Sequence, residues 1–328
     1  MGVSHSVQTS SGEENGNGSD SWQLSNFKER QVIGKGTWGT VRIIKHKGTK
    51  EKFALKKIVK KEKSPKQMVK LRRECEILRE LSNPLVCQLR DSFEDNNSVY
   101  IITDLMSGGD LRYHISQHRF EERVLQFWLA EIAAAILYIH SRNIIHRDIK
   151  PDNILLDHLG HCHLADFNVA QKVDPEQPVA TGVAGTPAYM APEFFFFQQC
   201  SFEADWWSLG VVMYECFHQE RPFDGSAAYD WMQKDEQERQ KMLPDIEQMF
   251  VPKFSKDAMS NEAEDAAKKF LRANSKQRLG HHPADVFQHS FFHNFPLSDL
   301  NQCKIPPLYR PCQTKLNADP ILELEAYI

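Results

Sequence analysis

From position 27 to 59 apolar and polar residues alternate around glycine-rich turns, "FKERQVIGKGTWGTVRIIKHKGTKEKFALKKIV". A period of two puts every second side chain on one face, so this stretch predicts three antiparallel strands. The period then changes. In "SPKQMVKLRRECEILREL", 64–81, Met68, Leu71, Cys75, Leu78 and Leu81 recur at helical spacing and form one stripe. Ser64 suits an N-cap, Pro65 the first helical position, and Gln67 completes a capping box. "LVCQLRDSF" and "SVYIITDL" predict two more strands. After Gly108 and Gly109 the pattern becomes mostly helical, and "EERVLQFWLAEIAAAILYIHSR" and "ADWWSLGVVMYECFHQ" predict long buried helices.

The order of these elements predicts an α+β fold of two lobes. A small antiparallel-sheet lobe with one main helix occupies 22–103, a hinge 104–110, and a larger, mostly helical lobe 111–296. A C-terminal tail follows at 297–328. A cleft between two such lobes is a favoured ligand site. Residues 1–21 are rich in Ser, Gly, Asn and Glu without apolar periodicity and predict a disordered arm.

Composition narrows the classes. Apolar residues are 41% of the 328 and charged residues 26%, ordinary for a globular protein. The formal net charge is −4 with Lys and Arg dispersed, which argues against nucleic acid as a partner. Seven Cys without a C-x-x-C pair predict reduced thiols and a cytoplasmic chain. A monomer is the default expectation. No apolar run approaches the roughly 18 residues that span a membrane, and the N-terminus lacks a secretory signal core. It does read "MGVSHS", in which Gly2 and Ser6 fit the N-myristoylation pattern. An acylated Gly2 would give weak, peripheral membrane association; the alternative is an arm that merely begins with Gly. In "HCHL", 161–164, two His at i and i+2 would share a strand face. A metal site is conceivable there, but without a nearby third ligand a short surface hairpin is the expectation.

Four stretches carry chemistry. "GKGTWGTV", 34–41, contributes Gly34, Lys35, Gly36, Thr37, Trp38 and Gly39. A dinucleotide-binding turn would open a helix, whereas "TVRIIKH" is strand-like. A strand–loop–strand flap whose amides approach phosphates fits better, with a plain hairpin as the alternative. Lys56 in "FALKK" lies on a core-facing strand and needs a partner, for which Glu74 on the capped helix is placed. "IIHRDIKPDNILL", 144–156, brings Asp148, Lys150 and Asn153 into one polar loop. Asp148 could orient and deprotonate a hydroxyl, Lys150 could neutralise a transferring phosphoryl group, and Asn153 could offer an amide oxygen to a metal. Asp166, in "HCHLADFN", arrives after a short strand pair as a further metal ligand.

With these in order and spacing, and "GTPAYMAPE" at 185–193, the chain resembles the eukaryotic protein kinases over roughly 27–296. Lys150 with Pro151 looks like the serine/threonine kinases, and "DWWSLG" is similar to the AGC group. "GGDLRYH", Asp-Phe-Asn at 166–168 and the tail "KLNADPILELEAYI" are similar to the YANK kinases, a branch of that group. The resemblance implies a bilobal kinase fold, transfer of the γ-phosphoryl group of ATP to Ser or Thr of protein substrates, and Mg²⁺ or Mn²⁺ on Asn153 and Asp166. It implies Thr103 behind the adenine pocket, Asp104 and Met106 offering hinge backbone groups, and Asp110 on the ribose. Val41, Ala54 and Leu155 would sandwich the adenine ring. Asp205 would brace the catalytic loop, Glu193 would pair with Arg278, and Asp152 could face a basic substrate residue. Arg147 in such kinases grips an activation-loop phosphate.

Three departures bear on activity. Asn168 stands where Gly is usual, and Asn readily accepts a left-handed backbone, so transfer should survive. Gly182 stands where AGC relatives have a phosphorylated Thr, which leaves Thr181 in a shifted register or a loop that needs no phosphate. The tail lacks a Phe-x-x-Phe ending. A nucleotide-binding scaffold without catalysis would be favoured by loss of Lys56, Asp148, Asn153 or Asp166, and none is lost. "FFFF" at 194–197 is expected to pack below the substrate shelf, with an exposed patch as the alternative.

Overall fold

The computed structural model describes residues 22–36, 39–223, 230, 231 and 233–312. Gly2, Ser6 and the rest of 1–21, Thr37 and Trp38 of the glycine loop, and the tail motif at 315–328 lie outside the described residues.

The alternating stretch forms β1 (Phe27–Gly36), β2 (Gly39–His46) and β3 (Lys52–Val59), each antiparallel to the next. With β4 (Leu89–Glu94) and β5 (Ser98–Asp104) they make a five-stranded sheet in the order β1-β2-β3-β5-β4. Gly39 begins β2 at φ 125°, where a Cβ would lie 2.2 Å from the Lys57 carbonyl oxygen, so only glycine fits this crossing. Helix α1 (Pro65–Glu80) starts as expected: Ser64 Oγ accepts from the Gln67 N–H, and Gln67 Oε1 accepts from the Ser64 N–H. Its stripe buries Leu71, Cys75 and Leu78 together with Leu81, and Met68 packs at the rim.

One strand starts later than the pattern predicts. Residues 85–87 leave the sheet before β4 begins at Leu89. Cys87 N–H donates to the Leu164 carbonyl, and Leu164 N–H donates to the Leu85 carbonyl. This apolar tripeptide therefore ties the sheet to the helical part of the chain instead of extending β4.

That part is built on α3 (Glu122–Ser141) and α5 (Glu203–His218), preceded by the short α2 (Leu111–Gln117). Contrary to the expectation that nothing in the chain could span a bilayer, α3 is long and apolar enough by length and composition. It is instead a core helix: Phe127, Trp128, Ile132 and Ile136 are fully enclosed, against Trp206, Leu209 and Met213 among others of α5. Short ladders occupy the loops between helices: β6 (Gly109–Asp110) pairs β8 (Ile154–Leu156), which pairs β9 (Cys162–Leu164). β7 (Ile144–Ile145) pairs β10 (Gln171–Lys172), and β11 (Ala180–Thr181) pairs β12 (Gln199–Cys200).

The "HCHL" stretch is not a surface hairpin. His161 and His163 are buried, and His161 Nδ1 lies 2.6 Å from Glu131 Oε1 in the middle of α3. A third ligand-type atom does come close, from Cys303 far along the chain. However, the second oxygen of Glu131 already accepts the Cys162 N–H at 2.8 Å. A buried carboxylate with both oxygens engaged is a structural clamp on the β8–β9 turn. In α4 (Pro192–Phe197) the Phe run divides, with Phe194, Phe195 and Phe196 in the core and Phe197 exposed.

Arg278 reaches α4 from the far end of the chain. Its two terminal nitrogens donate to the two oxygens of Glu193 at 2.8 and 2.9 Å, and its side chain is wholly enclosed. Removing one partner of a buried, bidentate pair strands the other charge, at a cost of about 3–5 kcal/mol. Arg278→Ala should therefore lower the melting temperature by roughly 10 °C. A melting temperature unchanged in calorimetry would show that the pair does not hold α4.

Candidate active site

The catalytic-loop candidates sit where β7 ends, and their placement begins with a buried acid. Asp205, in the first turn of α5, is completely enclosed. Its Oδ2 accepts the His146 N–H at 2.9 Å and faces His140 Nε2 at 2.8 Å; its Oδ1 accepts the Arg147 N–H at 2.9 Å. Burial alone would raise this carboxyl, but the His140 contact and the backbone donor from His146 outweigh it and hold it below its ordinary value. Arg147 then takes φ 68°, a left-handed backbone that costs a non-glycine residue and that the two fixed amides impose.

The turn so created aims Asp148 into the cleft. Its Oδ1 accepts from both the N–H and the Oγ1 of Thr186, each at 2.8 Å. Its Oδ2 accepts from Asn153 Nδ2 at 3.0 Å and lies 3.4 Å from Lys150 Nζ. Asn153 Nδ2 also donates to the Asp148 carbonyl, which closes the loop on itself. Lys150 Nζ reaches Thr186 Oγ1 at 2.8 Å. Gly185 makes this approach possible: at φ 110°, a Cβ there would lie 2.2 Å from the Arg147 carbonyl oxygen.

Lys56 and Glu74 meet across the sheet–helix interface at 3.2 Å. Burial would lower the Lys56 ammonium, but Glu74 and then Asp166 more than offset it, and the group stays protonated well above its ordinary value. Asp166 Oδ1 is 4.0 Å from Lys56 Nζ. Among the described residues, Asp166 Oδ1 and Glu74 Oε2 are buried oxygens without a hydrogen-bond partner. Orphaned anionic oxygens beside a lysine suit a hard divalent cation, which takes oxygen ligands.

The other candidates lie on the strands and loops that follow in the sheet and the hinge. Val41 is registered against Lys56, and Ala54 against Thr103. Gly34 pairs with Val41, Lys35 with Thr40, and Gly36 with Gly39, so the described ends of the glycine loop are held by the β1–β2 ladder. Asp104 N–H donates to the Gln88 carbonyl and its carboxylate takes Arg90 Nε. The Met106 carbonyl accepts the Gly109 N–H, and Leu155 on β8 is registered against Asp110 of β6. Asp110 caps α2, its Oδ1 accepting from the Tyr113 N–H at 2.7 Å.

A family profile described as the protein kinase domain matches residues 27–292. The chain belongs to the protein kinase family. It is 36% identical to serine/threonine-protein kinase 32C of Mus musculus over 315 residues, covering 93% of this chain and 62% of the relative. It is 38% identical to serine/threonine-protein kinase 32B of Homo sapiens over 231 residues, 68% of this chain and 55% of that protein. Protein kinase C, eye isozyme, of Drosophila melanogaster is 32% identical over 89% of this chain. The chain thus spans about 62% of the length of the first of these relatives. These likenesses agree with the resemblance to the YANK branch and with the bilobal kinase fold.

Asn168 departs from the kinase pattern without using the left-handed backbone expected of it. The left-handed residue of the Asp-Phe-Asn segment is Asp166, at φ 61°, whereas Asn168 is not among the residues with positive φ. Asn168 acts through its side chain: Nδ2 donates to Asp166 Oδ2 at 3.2 Å. The extra hydrogen bond is one that glycine could not supply. Two other partners, Thr186 and His140, were not singled out in the sequence. Thr186 lies within "GTPAYMAPE" but has no periodicity or charge to mark it, and His140 ends a helix whose neighbours are apolar.

Replacing Asn168 by Gly removes that bond and adds backbone freedom. With one hydrogen bond worth about 1 kcal/mol net, amide exchange over 166–170 should quicken by roughly fivefold. Exchange at the wild-type rate in Asn168→Gly would show that the side chain does not restrain Asp166.

Proposed function

We propose that this kinase-family chain is an active serine/threonine protein kinase that transfers the γ-phosphoryl group of ATP to protein substrates. The observation that carries the reading is the Asp148 carboxylate, held on one oxygen by Thr186 and on the other by Asn153 and Lys150. A fixed carboxylate of this kind can accept a hydrogen bond from an incoming Ser or Thr hydroxyl and take its proton. The hydroxyl oxygen forms a bond to the γ-phosphorus as the bond from that phosphorus to the β-bridging oxygen breaks, leaving ADP. The proton passes to Asp148. Lys150, beside Asp148 and Thr186, supplies positive charge where negative charge builds on the transferring oxygens. Lys56, held by Glu74, would position the α- and β-phosphates.

Asn153 and Asp166 would hold Mg²⁺ or Mn²⁺, which when bound offsets phosphate charge. Asp166 Oδ1, buried without a hydrogen-bond partner, supports this assignment. The intact set of Lys56, Asp148, Asn153 and Asp166 favours catalysis over a nucleotide-binding scaffold. The names of the relatives, serine/threonine-protein kinases, point the same way for the acceptor.

We further infer that activation-loop phosphate is not required. The Arg147 guanidinium donates from Nε to the Val169 carbonyl at 2.7 Å, and from a terminal nitrogen to the Thr181 carbonyl at 3.2 Å and the Gly182 carbonyl at 3.4 Å. Three backbone oxygens, from the start and the middle of the segment, occupy the group that would grip a phosphate.

Two outcomes are expected with labelled ATP and Ser/Thr peptides. Asp148→Asn should lose about 10²–10⁴-fold in transfer while still binding nucleotide. Equal background signals from both proteins would favour the scaffold. Thr181→Ala, and phosphatase-treated wild type, should keep transfer within about twofold, because no phosphate-dependent ordering is lost. A loss of a hundredfold on either treatment would return the loop to phosphate control.

A further inference from the structure

Asp152 occupies the turn between Lys150 and Asn153 and is the acidic group that a basic residue of a substrate would meet. It is not alone there. Arg112, in the first turn of α2, sends its guanidinium between Asp152 Oδ2, at 3.2 Å, and Glu215 Oε1 of α5, at 2.5 Å. The same guanidinium contacts the Tyr189 hydroxyl, which donates to the second oxygen of Glu215 at 2.5 Å. Glu215 is therefore consumed on both oxygens and is buried, while Asp152 keeps one edge open to solvent.

The position of this cluster gives it meaning. Tyr189 lies three residues after Thr186, which binds the Asp148 carboxylate, and Asp152 lies four residues after Asp148. The cluster thus borders the surface on which the acceptor segment must rest. Two carboxylates converging on that border would ordinarily select a cation by charge and hydrogen bonding. Here the cation is already present, on a helix of the enzyme itself. A substrate Arg or Lys would have to displace Arg112 from a bond to a buried glutamate, or lie against a like charge.

We propose that Arg112 is a specificity-determining residue that fills the Asp152–Glu215 acidic subsite from within, so that the enzyme does not select basic residues beside the acceptor. Neutral and acidic side chains are accepted there, since the partly exposed Arg112 side chain faces them without a competing open carboxylate pair. This rests on the serine/threonine kinase reading above.

The test is a positional-scanning Ser/Thr peptide library with labelled ATP, run on wild type, Arg112→Ala and Asp152→Asn, each checked for folding by its melting curve. Wild type should favour Arg or Lys by no more than about twofold at any position flanking the acceptor, the scale of a weak exposed ion pair. Arg112→Ala uncovers two carboxylates and should gain about tenfold preference for a basic residue at one position. Asp152→Asn removes one counter-charge from Arg112 and should raise the preference for an acidic residue at that position by roughly threefold. If Arg112→Ala does not fold, the shift in Asp152→Asn decides the matter. Strong basic selection by wild type, or unchanged profiles in the folded variants, would overturn the proposal and leave the kinase assignment standing. Absence of transfer by wild type to every peptide, despite ATP binding, would overturn the kinase reading and this proposal with it.

Discussion

The catalytic loop depends on one buried carboxylate. Asp205 has no access to water, and an uncompensated charge there would cost several kcal/mol. Its compensation comes from the groups whose geometry the site needs: two consecutive backbone N–H groups at His146 and Arg147, and the imidazole of His140 at the end of α3. The acid therefore links α3, α5 and the loop between β7 and β8. Its demand for donors also explains why Arg147 accepts a strained left-handed backbone. Once that turn is fixed, Asp148, Lys150 and Asn153 follow within the span of one short turn and have little freedom to point elsewhere.

Around this anchor the cleft balances its charges incompletely. Lys56 is matched by Glu74, Lys150 by Asp148, and Arg112 by Asp152 and Glu215. Two carboxylate oxygens, Glu74 Oε2 and Asp166 Oδ1, keep no hydrogen-bond partner among the described residues. Buried polar atoms without partners are expensive, so a fold tolerates them where function returns the cost. Their location beside Lys56 is the part of the cleft where phosphates and cations would lie.

How far all this could be read from the chain follows from how local each cause is. The capping box of Ser64 and Gln67 acts over three residues and was visible, as were the spacing of Asp148, Lys150 and Asn153 and the pairing need of Lys56. What escaped depends on contacts across long stretches of chain. The pair of His in "HCHL" looked like a surface turn because Glu131 lies 30 residues away, on a helix whose other members are apolar. Residues 85–87 read as strand because their apolar pattern is the same whether they extend a sheet or bridge to Leu164. The left-handed residue fell on Asp166 rather than Asn168, since backbone conformation there is set by the surrounding loop and not by residue preference. Arg112 carried no signal at all: three elements far apart in sequence must converge before its charge has a meaning.

On the reading proposed above, the activation segment keeps the family pattern while one of its parts is replaced. A phosphate offers Arg147 a doubly charged partner, which three neutral carbonyls match only weakly in energy. What the carbonyls provide instead is position. Val169 lies just past Asp-Phe-Asn, and Thr181 and Gly182 lie at the pairing of β11 with β12, so one guanidinium joins the start of the segment to its middle. The far end is fixed independently, by Gly185 packed on the Arg147 backbone and by Thr186 on Asp148. With both ends tied to the loop that Asp205 holds, the segment needs less from any single contact. Gly182 sits at φ 83° with open space around its Cβ position. Nothing about packing excludes a side chain there. The backbone conformation does: a threonine would have to abandon the left-handed geometry that presents the Gly182 carbonyl to Arg147. On the reading proposed above, the carbonyl clamp and the phosphate site are alternatives at this position, and the left-handed backbone of Gly182 favours the clamp.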